Sequence, residues 1–227
     1  MRLYVGKGSL GTMIRLLALI LFVFASNAQA ATHEDLLASI PPEKQIVFNA
    51  YNGRSLLGTH KLFFDVQGNT IKVRTEIDLK FKVLFVTAYT YEMRTEETWT
   101  NGQFVSFTSS ADDNGEKESV SMTRQGAVSR INGSGFKGEV SEVLYPTSYW
   151  AYPALKTTGW MSTQSGKIQR VAVKPRGTES LKSGAAAVQA NRYDVSGDLN
   201  MSLWFNGRVW TGARFKVSDN NILYVRQ

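Results

Sequence analysis

Cysteine is absent from this sequence of 227 residues. Disulfide bonds, thiolate metal ligands, a cysteine nucleophile and lipid attachment to a thiol are therefore excluded. Histidine is nearly absent as well, since only His33 and His60 occur. One histidine on a predicted strand cannot build a zinc site. We therefore expect no metal, and we interpret His60 as a surface or hydrogen-bonded residue.

Catalytic signatures are also missing. No G-x-S-x-G motif occurs, so a nucleophile elbow is not indicated. Asp112–Gly115 lacks the alternating oxygens of a calcium loop and is typical of a plain turn. Glu96 and Glu97 are adjacent, so on a strand they point to opposite faces. We expect no cofactor and no catalytic residue; an enzyme with residues scattered along the sequence is the less favoured alternative.

Long apolar runs are limited to Leu16–Phe24, which follows Arg2, Lys7 and Arg15 and precedes a short segment ending in Ala30. A transmembrane helix needs about 20 apolar residues, and this run has about half that number. A basic head, a short apolar middle and an A-x-A tail are typical of a secretory signal peptide. We expect residues 1–30 to be cleaved after Ala30 and the mature chain to be periplasmic or secreted. An uncleaved anchor and a start at Met13 instead of Met1 are the alternatives.

The mature chain of 197 residues would carry 23 basic and 19 acidic residues, a net charge of +4. This weak positive charge favours loose, peripheral contact with anionic lipid or polysaccharide. The basic residues do not cluster in a nucleic-acid-binding motif. We therefore expect no nucleic-acid partner.

Sequence periodicity predicts a leader over residues 31–44 and a single β domain over residues 45–227. In the leader, Glu34–Ile40 is a short helix with Thr32 as its cap, and Pro41-Pro42 ends it. Ile71–Val83 alternates apolar and polar residues throughout, which predicts a long strand with one face in a core. Residues 84–86 break the alternation and suit a bulge or turn.

Ten or eleven strands are predicted in all, with turns such as Asn101-Gly102 and Asn206-Gly207 between them. We expect an all-β fold, in which a mainly antiparallel and strongly curved sheet forms a barrel or half-barrel, with a sandwich as the alternative. Gly177–Ala187 is expected to be a mobile loop. Pro146–Met161 is expected to be a short helix or ordered loop capped at Thr147 or Ser148, which plugs the sheet.

The aromatic residues of that last segment are the most unusual feature of the sequence. They can complete the core by closing the mouth of the sheet. They can also line a cleft for an apolar or glycan ligand, because Trp and Tyr combine flat apolar faces with a polar group. A place at a membrane interface is a third interpretation. The candidate ligand-binding residues are Tyr149, Trp150, Tyr152 and Trp160.

Several segments resemble a family of uncharacterised proteobacterial secreted proteins that is known only as a domain of unknown function. The matching segments are Leu57-Gly58-Thr59-His60, Ile71–Val83, Glu96-Glu97-Thr98-Trp99 with Asn101-Gly102, Asp112-Asp113-Asn114-Gly115, Pro146-Thr147-Ser148-Tyr149-Trp150 and Thr163-Gln164-Ser165-Gly166-Lys167. The resemblance implies a cell-envelope protein with one β domain and supplies no catalytic residues. A curved sheet with a plug is also similar to the half-barrels that carry lipids or lipoproteins across the periplasm.

These observations favour a non-enzymatic periplasmic protein that binds a lipid-like, apolar or amphipathic ligand inside its curved sheet. The first alternative is an interaction or scaffold protein of the cell envelope, with a solid core and an envelope protein as its partner. A small outer-membrane barrel is the second alternative, although many segments carry polar residues on both faces.

Overall fold

The computed structural model describes residues 31–83, 86–183 and 186–227. The described chain begins with the helix α1 (His33–Leu37), and the predicted helix is confirmed with a shorter extent. The side chain of Thr32 accepts a hydrogen bond from the Asp35 backbone, and the Asp35 side chain accepts one from the Thr32 backbone. This reciprocal pair satisfies backbone donors that the first helical turn leaves unpaired. Leu36 is fully buried and fixes the helix to the core.

The rest of the structure is built almost entirely from strands. They are β1 (Gln45–Asn52), β2 (Ser55–Gln67), β3 (Thr70–Val83), β4 (Val86–Thr100), β5 (Gln103–Asp113), β6 (Glu116–Gln125), β7 (Val128–Gly133), β8 (Lys137–Val140), β9 (Tyr145–Pro146), β10 (Gly159–Met161), β11 (Ile168–Ser183), β12 (Ala186–Gly197), β13 (Met201–Asn206), β14 (Val209–Val217) and β15 (Asn220–Arg226). The predicted all-β class is confirmed. The described ranges contain fifteen strands in place of ten or eleven, because short strands join the sheet.

All fifteen strands form one sheet in which β1 pairs with both β2 and β15, and the strands on either side follow in sequence order out to β8 and β9. Each neighbouring pair is antiparallel except β9 and β10. The two edge strands, β8 and β9, are joined by residues 141–144 alone. A chain of that length spans at most about 18 Å, so the sheet must curve until its edges approach each other.

The long alternating strand is confirmed. Ile71, Val73 and Ile77 are buried on one face of β3, while Lys72 and Arg74 are exposed on the other. The bulge or turn predicted for residues 84–86 falls mostly outside the described residues, since only Val86 is described, as the first residue of β4.

The prediction of a mobile loop over Gly177–Ala187 was wrong, because these residues extend β11 and β12 into one long hairpin. Pro175 and Gly177 are unusual in a strand interior, and the pairing shifts register between them. A bulge at this point lets the ladder continue past a proline that cannot donate a hydrogen bond. Residues 184–185, at the tip, lie outside the described residues.

The segment predicted as a short helix or loop combines both forms. Tyr145–Pro146 and Gly159–Met161 are the short strands β9 and β10, and a 3-10 helix over Tyr152–Lys156 lies between them. The predicted caps Thr147 and Ser148 were wrong, since Ala151 precedes the helix and caps it with no side-chain hydrogen bond. Pro153 supplies the backbone angle needed in the first turn.

Candidate ligand-binding cavity

The residues on the inner face of the sheet differ between the two ends of the strands β3 and β4. At one end Ile71 lies opposite Trp99, and the next inward pair is Val73 and Glu97. All four side chains are at most 1% exposed. The following inward pairs, toward the β3–β4 turn, are Thr75 with Thr95, Ile77 with Met93, Leu79 with Tyr91 and Phe81 with Tyr89. We call the end of the sheet that holds Ile71, Val73, Glu97 and Trp99 the packed end. Beyond Thr75 and Thr95, toward the β3–β4 turn, the inward side chains are apolar residues and tyrosines.

The packed end is filled by the aromatic segment. Trp150 is fully buried, and its ring lies edge-on to Phe64 and Trp99. The indole N–H groups of Trp99 and Trp150 both donate to Glu97 Oε2 at 3.1 Å. Burial raises the pKa of Glu97, and hydrogen bonds from the Ser148 side chain and the two indoles offset only part of that rise. Two tryptophans thus hold a single buried carboxyl group at the centre of this core.

The other end of the sheet encloses a cavity of about 870 Å³. Strands from both halves of the sheet supply its wall. Its apolar lining is Leu57, Ile77, Leu79, Phe81, Met93, Leu199, Met201, Trp210, Ala213, Phe215, Val217 and Ile222. The cavity reaches the protein surface at the turn between β14 and β15, where Lys216, Val217 and Ser218 are exposed.

Four tyrosines, Tyr89, Tyr91, Tyr149 and Tyr224, also line the cavity. Burial raises the pKa of each, to about 12 for Tyr149, so all four hydroxyl groups stay protonated at neutral pH. The Tyr89 hydroxyl donates to Asp113 at 2.6 Å. These rings supply apolar faces to the wall together with a neutral polar edge.

Tyr149 has a strained backbone, with a φ of 62°. A bulky residue in this left-handed region costs free energy, and such residues concentrate at functional sites. The conformation places the Tyr149 ring against Trp160 and Trp210, at the floor of the cavity. The strained residue therefore separates the packed end from the cavity.

Four polar side chains of the wall carry buried atoms with no hydrogen-bond partner among the described residues: His60, Thr75, Thr95 and, through its Oε1 atom, Gln169. The first three side chains are between 1% and 3% exposed. His60 lies among Phe48, Trp210 and Tyr224. Burial lowers the pKa of His60 to about 3, so its ring is neutral. The prediction of a surface or hydrogen-bonded histidine was wrong, because aromatic rings from β1, β14 and β15 surround His60.

Charged side chains line the cavity at Asp113, Asp198 and Lys216. Asp198 and Lys216 are exposed, and Asp113 lies next to the β5–β6 turn. Among residues 31–83, 86–183 and 186–227, no group of three or more His, Asp or Glu side chains is arranged to hold a metal ion. In the same ranges no helix is long and apolar enough to cross a membrane.

A sequence model of a domain of unknown function, DUF6134, matches residues 48–227. The match begins in β1 and runs to the end of the chain, so it includes every strand that lines the cavity. The chain belongs to the DUF6134 family. The prediction that the chain belongs to a family known only as a domain of unknown function is therefore confirmed.

The fold of this DUF6134 chain is similar to that of a solved structure, described as a β-barrel-like protein of the domain of unknown function DUF1849 from Brucella abortus. The superposition has a TM-score of 0.58 and 7% sequence identity, and it covers 81% of this chain and 94% of the other. At this identity the similarity extends to the fold alone. No curated protein matches the sequence.

The four predicted ligand-binding residues of the DUF6134 chain occupy different places. Tyr149 lines the cavity. Trp150 and Trp160 are at most 1% exposed in the packed end, and the Trp160 indole donates to the Ala154 carbonyl. Tyr152 is half-buried, with its hydroxyl 2.8 Å from that of Tyr193. A ligand contact for these four residues stays a prediction, and the geometry favours Tyr149.

Sequence reasoning missed most of the cavity wall of the DUF6134 chain. Thr75 was visible as the one hydroxyl on the otherwise apolar face of β3, and Tyr89, Tyr91 and Met93 were visible as an alternating set. No local signal connects these residues with Trp210 or Tyr224, because strands distant in sequence meet only when the sheet curves.

Proposed function

We propose that this chain is a non-enzymatic protein that binds a lipid-like, apolar or amphipathic ligand in the cavity of its curved sheet. The observation that carries the proposal is the cavity itself, about 870 Å³ in volume and lined mainly by apolar and aromatic side chains. Small-molecule sites are typically clefts of about 300–1,000 Å³ with a few fixed polar groups. The cavity has that size and that composition.

Energetics support a ligand rather than an unused space. Apolar side chains that face a cavity lose the dispersion contacts that a packed core would give them. Tyr149 adds backbone strain at the floor. A protein that only presented an outer surface to a partner would gain stability by filling this end with side chains, as it does at the packed end.

The proposed setting is outside the cytoplasm. Its support is the basic, apolar and A-x-A pattern of residues 1–30, which is typical of a cleavable signal peptide. N-terminal sequencing of the protein isolated from its host should read from Ala31. A product that retains Met1 or Met13 contradicts the export proposal and leaves the binding proposal standing.

Ligand binding is tested with a variant that fills the cavity. Leu79→Trp places an indole into the space that the ligand would occupy, because Leu79 lines the cavity. Lys80→Trp is the matched control, since Lys80 is exposed on the opposite face of the same strand. We expect the neutral fluorophore N-phenyl-1-naphthylamine to bind the wild type and Lys80→Trp alike, and to bind Leu79→Trp at least about tenfold more weakly.

Native mass spectrometry of the protein purified from its host completes the test. A co-purified ligand should be retained by the wild type and by Lys80→Trp and be lost from Leu79→Trp. If the fluorophore does not bind the wild type, or if Leu79→Trp binds it unchanged while staying folded by circular dichroism, the proposed function is wrong.

A further inference from the structure

We infer that the ligand enters the cavity head first, with a neutral hydroxyl or amide group at the deep end and its apolar chain toward the surface. This inference rests on the proposed function and specifies the class of ligand. The deep end is formed by Thr75, Thr95 and His60, and its geometry points to a guest that both donates and accepts hydrogen bonds.

The three deep residues present polar atoms that nothing in the described ranges satisfies. Thr75 and Thr95 are cross-strand partners, so their hydroxyl groups lie side by side on the inner face. His60 lies one inward position nearer the surface, opposite Ile77 on β3. Both nitrogens of His60 and both threonine hydroxyl oxygens lack a protein partner. Leaving such buried groups unpaired is costly, so a guest that pairs with them gains affinity.

The deep groups select a neutral guest. A threonine hydroxyl donates and accepts, and a neutral imidazole has one donor and one acceptor nitrogen. The three charged side chains of the lining, Asp113, Asp198 and Lys216, belong to the turn regions at the surface end. An ionised carboxylate or ammonium at the deep end would meet no compensating charge among the lining residues, and burying an unpaired charge is much more costly than burying a hydroxyl.

The path from the deep end to the surface suits an apolar chain. The inward pairs Ile77 with Met93 and Leu79 with Tyr91 follow the two threonines along β3 and β4. Phe215 and Val217, on β14, line the same cavity and lead to its exposed turn. Ile77, Met93, Leu79, Phe215 and Val217 offer no hydrogen-bonding side-chain group except the weakly accepting sulfur of Met93, and the Tyr91 hydroxyl already donates to Gln164. A polar head group placed here would therefore lose its hydration without gaining comparable hydrogen bonds. The order of residues along the wall therefore fixes the orientation of the guest.

The test compares three ten-carbon ligands that differ only in their head group. Decan-1-ol, decanoate at pH 8 and decylamine at pH 7 are titrated against the full mature chain that holds N-phenyl-1-naphthylamine, and displacement is measured. We expect decan-1-ol to bind at least about tenfold more tightly than either ion. Equal or tighter binding of decanoate or decylamine overturns the inference.

The double variant Thr75→Val with Thr95→Val removes both hydroxyl groups and keeps the side-chain shape. We expect it to stay folded by circular dichroism and to bind decan-1-ol at least about fivefold more weakly, since one neutral hydrogen bond contributes about a factor of five. Thr98→Val, on the outer face of β4, is the matched control. Unchanged decan-1-ol affinity in the double variant overturns the inference.

The outcomes also separate this inference from the proposed function. If all three ligands displace the fluorophore equally, the cavity binds apolar chains without the proposed head-group selection, and only the inference fails. If the fluorophore itself does not bind the wild type, both the proposed function and the inference fail. The comparison of the three ligands needs only the wild type, so a folding defect in a variant cannot obscure it.

Discussion

Glu97 is a carboxyl group surrounded by aromatic rings in the packed end of the sheet. It is 1% exposed and accepts hydrogen bonds from Trp99 and Trp150. Because burial raises its pKa, the protonated form is favoured in the folded protein more than in the unfolded chain. When the pKa of a carboxyl group is higher in the folded protein than in the unfolded chain, its protonation stabilises the folded state. This contribution to the free energy of unfolding is fully present below the pKa of the unfolded chain, and it is lost as the pH rises through the pKa of the folded protein.

Glu97→Gln should therefore remove a pH dependence. As the pH rises above about 4.5, the free energy of unfolding of the wild type should fall relative to the variant by up to about 1.4 kcal/mol per pH unit, until the folded pKa is passed. The amide oxygen of the substituted side chain would still accept from both indoles. Urea denaturation between pH 4.5 and pH 9 measures the difference.

The control is Glu96→Gln on the same strand, because Glu96 is exposed on the outer face. Its unfolding free energy should track that of the wild type across the pH range. If the free energies of unfolding of the wild type and Glu97→Gln change in parallel with pH, burial does not raise the pKa of Glu97.

Residue-scale prediction from the sequence worked where a residue acts through its neighbours in the chain. The Thr32 cap was predicted because an N-cap bonds within its own first turn. The environment of His60 was not, since Phe48, Trp210 and Tyr224 reach it from strands paired in space. The environment of Glu97 was not predicted either, because the indole of Trp150, which donates to it, is distant in the sequence.

Strand β2 carries a bulge that shapes the surface end of the cavity. Its pairing with β1 shifts register between Ala50 and Tyr51, which leaves Leu57 as the extra residue. Leu57 lines the cavity, while Leu56 is 58% exposed. Gly58 follows with a φ of 151° and lies so close to β3 that a Cβ atom would be 2.0 Å from the Asp78 carbonyl oxygen. Only glycine fits this approach.

Gly58→Ala should cost about 3 kcal/mol of unfolding free energy, because strain at a special backbone angle adds to a clash with backbone atoms that cannot move aside. Chemical denaturation measures the loss. Gly53→Ala in the β1–β2 turn is the control, since its φ is 59° but nothing lies within 4 Å of its Cβ position. It should cost about 1 kcal/mol, and equal losses at the two sites would contradict the packing argument.

Strand prediction depended on how far a local pattern extends. The whole of β3 was predicted from its alternation of apolar and polar residues, because successive side chains of a strand point to opposite faces of the sheet. The ends of β11 and β12 were predicted as a mobile loop because Gly177 and small residues weaken the local strand signal. The two strands stabilise each other by pairing from Val171 with Gly197 out to Ser183 with Ala186.

The whole sheet is brought to its barrel-like shape at a seam between its two halves. On one side lie β4, β6 and the connection between β7 and β8, and on the other lies the connection between β10 and β11. The Gly135 backbone donates to the Ser165 carbonyl at 2.8 Å. Gln164 accepts from Tyr91 and donates to Glu118. Side chains and single backbone contacts, rather than a continuous ladder, hold the seam.

Gly133→Ala should weaken that seam, because the new Cβ atom would lie 2.4 Å from the Ser165 carbonyl oxygen. We expect a loss of about 2 kcal/mol of unfolding free energy and weaker N-phenyl-1-naphthylamine binding, since Ser162, Thr163 and Gln164 of this connection line the cavity. Denaturation and fluorescence titration measure the two effects.

Gly138→Ala in β8 is the matched control, because its nearest neighbour is the end of the Phe136 ring at 3.2 Å, which can move. Its stability and binding should stay close to the wild type. If Gly133→Ala binds the fluorophore normally and loses no stability, the seam does not shape the cavity.

Alternation, turn residues and composition determined the class of this protein by themselves, because strand period and turn geometry depend on neighbouring residues. They predicted a curved antiparallel sheet with an aromatic plug. Only the tertiary structure decided which aromatics pack and which line a cavity. Trp150 and Tyr149 are adjacent, yet one lies beside Glu97 and the other faces the cavity. That division depends on which distant strands meet when the sheet curves, and no local pattern encodes it.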